Sequence, residues 1–253
     1  MRRAHFSFVR VLLIVTTVSL LVLVSAELEA FPIVGQIDTF SAASTLGWSN
    51  GGAPAPLVIS TGGPAGVGDG YLQITADGIG ADGRLTVFNR SQWAGDFLSA
   101  GVASVEMDLK NFGSSPLSIR IGLRQSDIFG APGFASTVGF SLPVDGLWHH
   151  ATFLLDAADL TRFNSTTLLL DALLSSVAEF RILNSAAPSL TGDFIVSQLG
   201  VDNIKARAAA TVPEPSALLL LTTGLVALGM LKKYAEKRPG HDVSHPRRQR
   251  SMR

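Results

Sequence analysis

Glu106 and Asp108 stand two residues apart, in a run where Val105, Met107 and Leu109 alternate with them. Residues i and i+2 of a strand share a face, so the two carboxyls project together. Acid–base cleavage of a glycosidic bond with retention needs two such groups about 5–5.5 Å apart. A half-exposed strand also carries paired charges simply to meet solvent, and that is the plainer reading of these two. His149 and His150 are adjacent, so on a strand they point to opposite faces and cannot chelate one metal. Trp48, Trp93 and Trp148 are the only tryptophans, and Tyr71 and Tyr234 the only tyrosines. Aromatic planes suit the C–H faces of pyranose rings. Trp93 lies in the Gly/Asn/Ser-rich stretch 89–96 and is the candidate for a ligand-facing loop. Trp48 and Trp148 read as core, because tryptophan is usually largely buried. No Gly-x-Ser-x-Gly, no Walker loop and no Gly-x-Gly-x-x-Gly in a strand–helix setting is present, so nothing supports an enzyme assignment.

The elements that must hold these residues read as strands. Small and turn-forming residues punctuate 31–207 every eight to twelve residues, which predicts an all-β sandwich. Candidate strands are 36–41, 57–60, 71–76, 84–89, 102–111, 117–124, 137–142, 149–156, 177–183 and 201–207. Short helices are expected at 157–163 and 167–175. Residues 31–211 hold nine Lys/Arg against fifteen Asp/Glu, and an acidic domain argues against nucleic acid as a partner. Cysteine is absent, so packing, or a metal, must hold the domain together without disulfides.

Both ends are basic and read as addresses. Arg2, Arg3 and Arg10 precede an apolar run from Val11 to Val24, followed by Val24-Ser25-Ala26 and Leu28-Glu29-Ala30. A short apolar core with small residues behind it reads as a secretory signal peptide over 1–30, cleaved after Ala26 or Ala30. Residues 208–215 form a linker ending in Val212-Pro213-Glu214-Pro215. Residues 216–231 follow without a charge, then Lys232-Lys233. Sixteen helical residues span roughly 24 Å, slightly short of a ~30 Å hydrocarbon core, and the flanking lysines can snorkel. The tail 232–253 holds eight Lys/Arg against Glu236 and Asp242, which keeps it cytoplasmic and the domain outside.

Val212-Pro213-Glu214-Pro215-Ser216, a short Leu/Ala/Gly helix and a basic end resemble the PEP-CTERM sorting signal of Gram-negative bacteria. That resemblance implies processing by a membrane transpeptidase-like enzyme, exosortase, and a route through the inner membrane to the cell surface or the extracellular matrix. The tail of about twenty residues after Lys233 departs from the few basic residues usual there. A looser resemblance covers most of 36–207. Gly47-Trp48, Gly68-Asp69-Gly70-Tyr71-Leu72, Trp93-Ala94-Gly95-Asp96, Gly146-Leu147-Trp148-His149 and Leu199-Gly200-Val201-Asp202-Asn203-Ile204 are similar, in that order, to laminin-B-like and carbohydrate-binding-module jelly rolls. It implies a jelly-roll-like β-sandwich, and a structural calcium held by Asp38 and Asp202 where first and last strands lie side by side, with Asn203 able to add an oxygen. Glu106-x-Asp108 resembles the start of a sandwich-fold glycosidase signature, but the third acid would fall at Lys110 or Asn111, and neither can serve.

The reading is an exported, exosortase-sorted surface or matrix protein, non-catalytic and polysaccharide-binding. A glycan-active hydrolase or lyase on the same fold, and a purely structural matrix protein, are the alternatives. Two prolines hold the triplet extended outside the bilayer, where a sorting enzyme can read it. Replacing Pro213, Glu214 and Pro215 with alanine should therefore leave the protein in the inner membrane. Cell fractionation checks this; normal sorting of the variant would show that the apolar helix is a sufficient signal.

Overall fold

Alternation along 105–111 is realised without exception. In the computed structural model Val105, Met107 and Leu109 are buried while Glu106, Asp108 and Lys110 are half-buried on the other face. The structure describes residues 32–80 and 83–209. The expected signal peptide, the motif Val212 to Pro215, the helix 216–231 and the basic tail all lie outside them. Among the described residues no helix is long and apolar enough to cross a membrane.

The strands are β1 (Ile37–Asp38), β2 (Trp48–Ser49), β3 (Leu57–Ile59), β4 (Tyr71–Asp77), β5 (Thr86–Asn89), β6 (Val102–Asn111), β7 (Leu117–Arg124), β8 (Gly133–Ser136), β9 (Phe140–Leu142), β10 (His149–Leu154), β11 (Leu160–Phe163), β12 (Glu179–Asn184) and β13 (Val196–Ala208), with one helix, α1 (Leu170–Leu174). They form two antiparallel sheets, the jelly-roll-like β-sandwich expected. Sheet A runs β10-β6-β13-β4-β3 with β1 also on β13; sheet B runs β11-β8-β7-β12-β5-β2 with β9 also on β7. Inward residues of both sheets make one core, including Leu72, Ile74, Val105, Met107, Ile119, Ile121, Phe180 and Ile182.

Two departures from the expected elements have local causes. Residues 157–163 form no helix. Asp156 Oδ1 accepts from the N–H groups of Ala158 and Asp159, a turn that ends in β11, which pairs with β8. The strand expected at 137–142 covers only β9 at 140–142, and β8, just before it, was not expected. Gly133-Phe134-Ala135-Ser136 is fully buried, so it shows no polar alternation to betray it.

β13 carries a bulge. Asp202 pairs with Asp108 and Lys205 with Glu106, leaving one extra residue in β13. Asn203 takes it up with φ +52°, a left-handed conformation asparagine tolerates better than most residues. Beyond the bulge Ile204 and Ala206 return to the core. The neighbour changes at the same place, from β4 at 196–201 to β1 at 204–205.

The core is also tied by a polar contact. Asp38 Oδ2 accepts from Trp48 Nε1 at 2.7 Å, Trp93 Nε1 at 2.8 Å and Gln92 Nε2 at 3.3 Å. Both indoles pack on Phe180, with centroids 5.9 and 5.4 Å away. Burial raises the Asp38 pKa, and the two indole bonds and Gln92 pull it partly back. Asp38→Leu should cost roughly 2–6 kcal/mol, since two buried donors lose their acceptor at about 1–3 kcal/mol each. Asp38→Asn keeps an acceptor oxygen and should lose less. Urea unfolding followed by tryptophan fluorescence checks the order; equal losses would show that hydrogen bonding is not what Asp38 supplies.

Candidate glycan-binding face

The outward positions of sheet A form two cross-strand rows. Ile59 pairs with Tyr71, and Asp202 with Asp108, which pairs in turn with His150. In the next row Leu57 pairs with Gln73, Gln73 with Gly200 and Gly200 with Lys110. Directly opposite residues in an antiparallel pair share a face, so these side chains leave the sheet together.

Gly200 makes a depression in this face. A Cβ there would sit 2.8 Å from Phe112, 2.9 Å from Trp148 and 3.2 Å from Tyr71, closer than side chains tolerate. The three rings fill the gap: Tyr71 stacks on Phe112 at 5.6 Å, and Trp148 meets Tyr71 edge-on at 5.3 Å and Phe112 at 6.5 Å. Trp148 Nε1 donates to the Gly62 carbonyl at 3.1 Å, pinning the tryptophan to the loop before β4. Tyr71 is buried beneath, Phe112 keeps 37% of its surface open, and Trp148 is half-buried. Lys110 Nζ lies 5.1 Å from the Phe112 centroid.

Polar groups rim the cluster. Asp108 is bonded on both oxygens, to His150 Nδ1 at 2.9 Å and to Asn203 Nδ2 at 2.8 Å. Glu106 pairs with Arg207 and lies 3.9 Å from His150. His149 turns away to Asp145 at 2.9 Å, so the two histidines do take different partners. Asp202 is fully buried and, among the described residues, neither carboxyl oxygen has a hydrogen-bond partner of normal geometry. Burial pushes its pKa up to about 7, the charges of Asp69 and Asp108 add to this, and the Asn203 backbone N–H only partly offsets it.

Three sequence expectations need correction. Trp93 is not on a ligand-facing loop. It is fully buried, its N–H is spent on Asp38, and no ring face is open to a sugar. Asp38 and Asp202 do not converge on a calcium ion. Asp38 pairs with the core residue Ile204 and bonds the core indoles, whereas Asp202 pairs with Asp108 on the outer face. The two acids do not fit one shared ion, and among the described residues no three His, Asp or Glu side chains are placed to hold a metal. Trp148, expected in the core, belongs to the outer face instead.

The signal for this cluster was present as strand parity. Leu72, Ile74 and Ala76 are the inward phase of β4, which leaves Tyr71 outward with Gln73 and Thr75. Phe112 continues the phase of Glu106, Asp108 and Lys110, and Trp148 that of His150 and Thr152. What parity could not show is that Gly200 lies between all three.

Comparison with known proteins gives the following. Residues 211–233 match the PEP-CTERM protein-sorting motif, the signal read from Val212 to Lys233, which marks the chain as exported. No curated protein matches the chain. Among solved structures, an exo-β-agarase is similar at 13% identity and a TM-score of 0.48 over 71% of this chain and 26% of its own. The chain thus spans only about a quarter of that enzyme. A family 11 carbohydrate-binding module from Clostridium thermocellum, solved with a β-1,3-1,4-mixed-linked tetrasaccharide, is similar at 18% identity and a TM-score of 0.44, over 70% of this chain and 97% of its own. A family 28 module specific for non-crystalline cellulose is similar at 14% identity and a TM-score of 0.40, over 70% and 98%.

Proposed function

We propose that this is an exported, non-catalytic polysaccharide-binding protein, passed to an exosortase at Pro213-Glu214-Pro215 and delivered to the cell surface or matrix. The observation that carries the binding role is the ring cluster of Tyr71, Phe112 and Trp148 on the outer face of sheet A. Large aromatic surface left open beside fixed polar groups is what a sugar ring needs: its C–H face stacks, and its hydroxyls meet oriented acceptors and donors. Gln73, Lys110, Asp108 and His150 lie on the two outward rows beside the rings. Asp108 and His150 are held by hydrogen bonds within the protein, so a ligand would meet them preformed, which lowers the ordering cost of binding.

The hydrolase alternative rests on one feature. Asp108 and Asp202 are register partners on one face, and two carboxyls side by side are what glycoside cleavage uses. Asp202 has no exposed surface, however, and both Asp108 oxygens are bonded. A general acid must reach the leaving oxygen within about 3 Å, and a sealed carboxyl does not.

Trp148→Ala and Phe112→Ala should each weaken binding to an immobilised polysaccharide by about tenfold, the equivalent of one aromatic stacking contact. Affinity electrophoresis in gels cast with single polysaccharides reads this out, together with an assay for new reducing ends. Wild-type binding untouched by both substitutions would refute the ring platform. Release of reducing ends that disappears in Asp108→Asn would establish the hydrolase instead.

The buried Asp202 imposes a pH dependence on the same face. Unfolded, it ionises near 3.8; folded, near 7. The unfolded chain therefore gains its charge first, and stability contributed by the neutral acid is full below about pH 4 and lost as pH rises to about 7. The loss is at most roughly 4 kcal/mol. Asp202→Asn should melt higher than wild type at pH 8 and show a flatter profile between pH 4 and 8. Parallel profiles for the two proteins would place the Asp202 titration elsewhere.

A further inference from the structure

The opposite face of the sandwich carries a different chemistry. On the outer side of sheet B, Glu179 is fully buried among three guanidinium groups. Arg90 reaches Oε2 at 2.7 Å, Arg124 reaches Oε1 at 3.1 Å, and Arg181 Nε also donates to Oε1. Burial alone would raise the Glu179 pKa, but Arg181, Arg90 and Arg124 outweigh it and hold the carboxyl below its ordinary value. The other acid nearby, Asp127, lies 3.8 Å from Arg90 at an exposed position. Three cations thus share one buried anion, with a second only at the rim.

The unbalanced member is Arg124. It is 5% exposed, Nη1 is committed to Glu179 and Nη2 donates to the Ile128 carbonyl, while the buried Nε–H has no acceptor among the described residues. An orphaned charged donor in low dielectric is expensive unless something completes it. Arg124 lines a cavity of about 300 Å³, whose other walls include Phe129, Phe163, Asn164, Ser189 and Thr191. That volume is at the small end of ligand pockets and suits one ring. Phe129 is 89% exposed, an apolar side chain held out into solvent beside the opening. Leu190 closes the pocket from the sheet side, packing against Gly122 and Gly133.

We propose that this cavity binds a carboxylate-bearing sugar, a uronate unit of an acidic polysaccharide. The carboxylate is placed at Arg124 and offsets the excess positive charge. The Phe129 and Phe163 rings receive the C–H surface of the sugar, and Ser189, Thr191 and Asn164 supply hydroxyl and amide partners for its hydroxyls. Charge-assisted bonds to the uncommitted N–H groups of Arg124 suit an acceptor carried at one point of a larger ring better than a free tetrahedral anion, which would leave the aromatic walls wet. This site lies on the other sheet from Trp148 and does not rest on the ring platform there.

Isothermal titration of the full-length protein with glucuronate, glucose, acetate and sulfate tests it. Glucuronate should bind, with glucose, acetate and sulfate each about tenfold weaker or more, the loss expected for one charged hydrogen bond or one stacking contact. Glucuronate binding should weaken with added salt. Arg124→Lys should abolish it, but Glu179 loses a partner in that variant. The decisive variant is therefore Phe129→Ala, which should weaken glucuronate about tenfold with the melting temperature unchanged. Trp148→Ala should leave glucuronate binding intact. Absence of glucuronate binding, equal binding of glucose, equal binding of acetate or sulfate, or a loss in Trp148→Ala with none in Phe129→Ala would each overturn the proposal.

Discussion

The constraint on which the rest of this domain depends is that a chain without disulfides must join its first strand to its core by something stronger than two residues of pairing. β1 contributes two register pairs to β13. Asp38, in that strand, meets the deficit with a carboxylate that accepts two indole N–H groups and an amide. The donors come from β2 in sheet B and from the segment after β5, so one oxygen links both sheets through the interior. Burying a carboxyl is costly by itself. Two large rings packed on Phe180 need acceptors that the apolar core does not otherwise offer, and the mutual need makes the arrangement stable. It also explains why the most aromatic part of the core lies beside the edge of a sheet, where β1 is.

The two outer faces then diverge. Sheet A presents acids with aromatic rings; sheet B presents arginines around one acid, partly roofed by the segment 185–193. Arg120 shows how that roof is held: it donates to the carbonyls of Ser136, Thr137, Ser185 and Ala186. A guanidinium spent on four carbonyls acts as a structural bracket, whereas Arg124 makes only two such bonds, one to Glu179 and one to the Ile128 carbonyl.

Much of the fold was legible because it follows local rules. β6 and β7 match their expected bounds, since ten and eight residues of alternation leave little choice of face or phase. β8 was missed because a short, wholly buried strand has no phase, and β11 because a turn signal at Asp156 reads much like a helix start. The site was harder for another reason. Composition singles out tryptophans, but whether Trp93 or Trp148 meets solvent depends on which strand lies across the sheet, and pairing between distant segments is not written in either neighbourhood. The terminal sorting motif needed none of this, because hydropathy, prolines and charge run along the chain itself.

The bulge in β13 shows how fold and site share one residue. Asn203 absorbs the extra position, which lets Ile204 and Ala206 reach the core, and its side chain holds Asp108 on the outer face. Asp202, the last residue before the irregularity, is held opposite Asp108 by the regular register of 199–202. Removing the bulge would shift every later residue of β13 to the other face, sending Ile204 outward and Lys205 into the core. The buried, unpartnered Asp202 is thus not a defect the fold could shed by a small adjustment of register. A carboxyl that is neutral when protonated tolerates that position far better than an obligate charge would, and the raised pKa is the form the compromise takes.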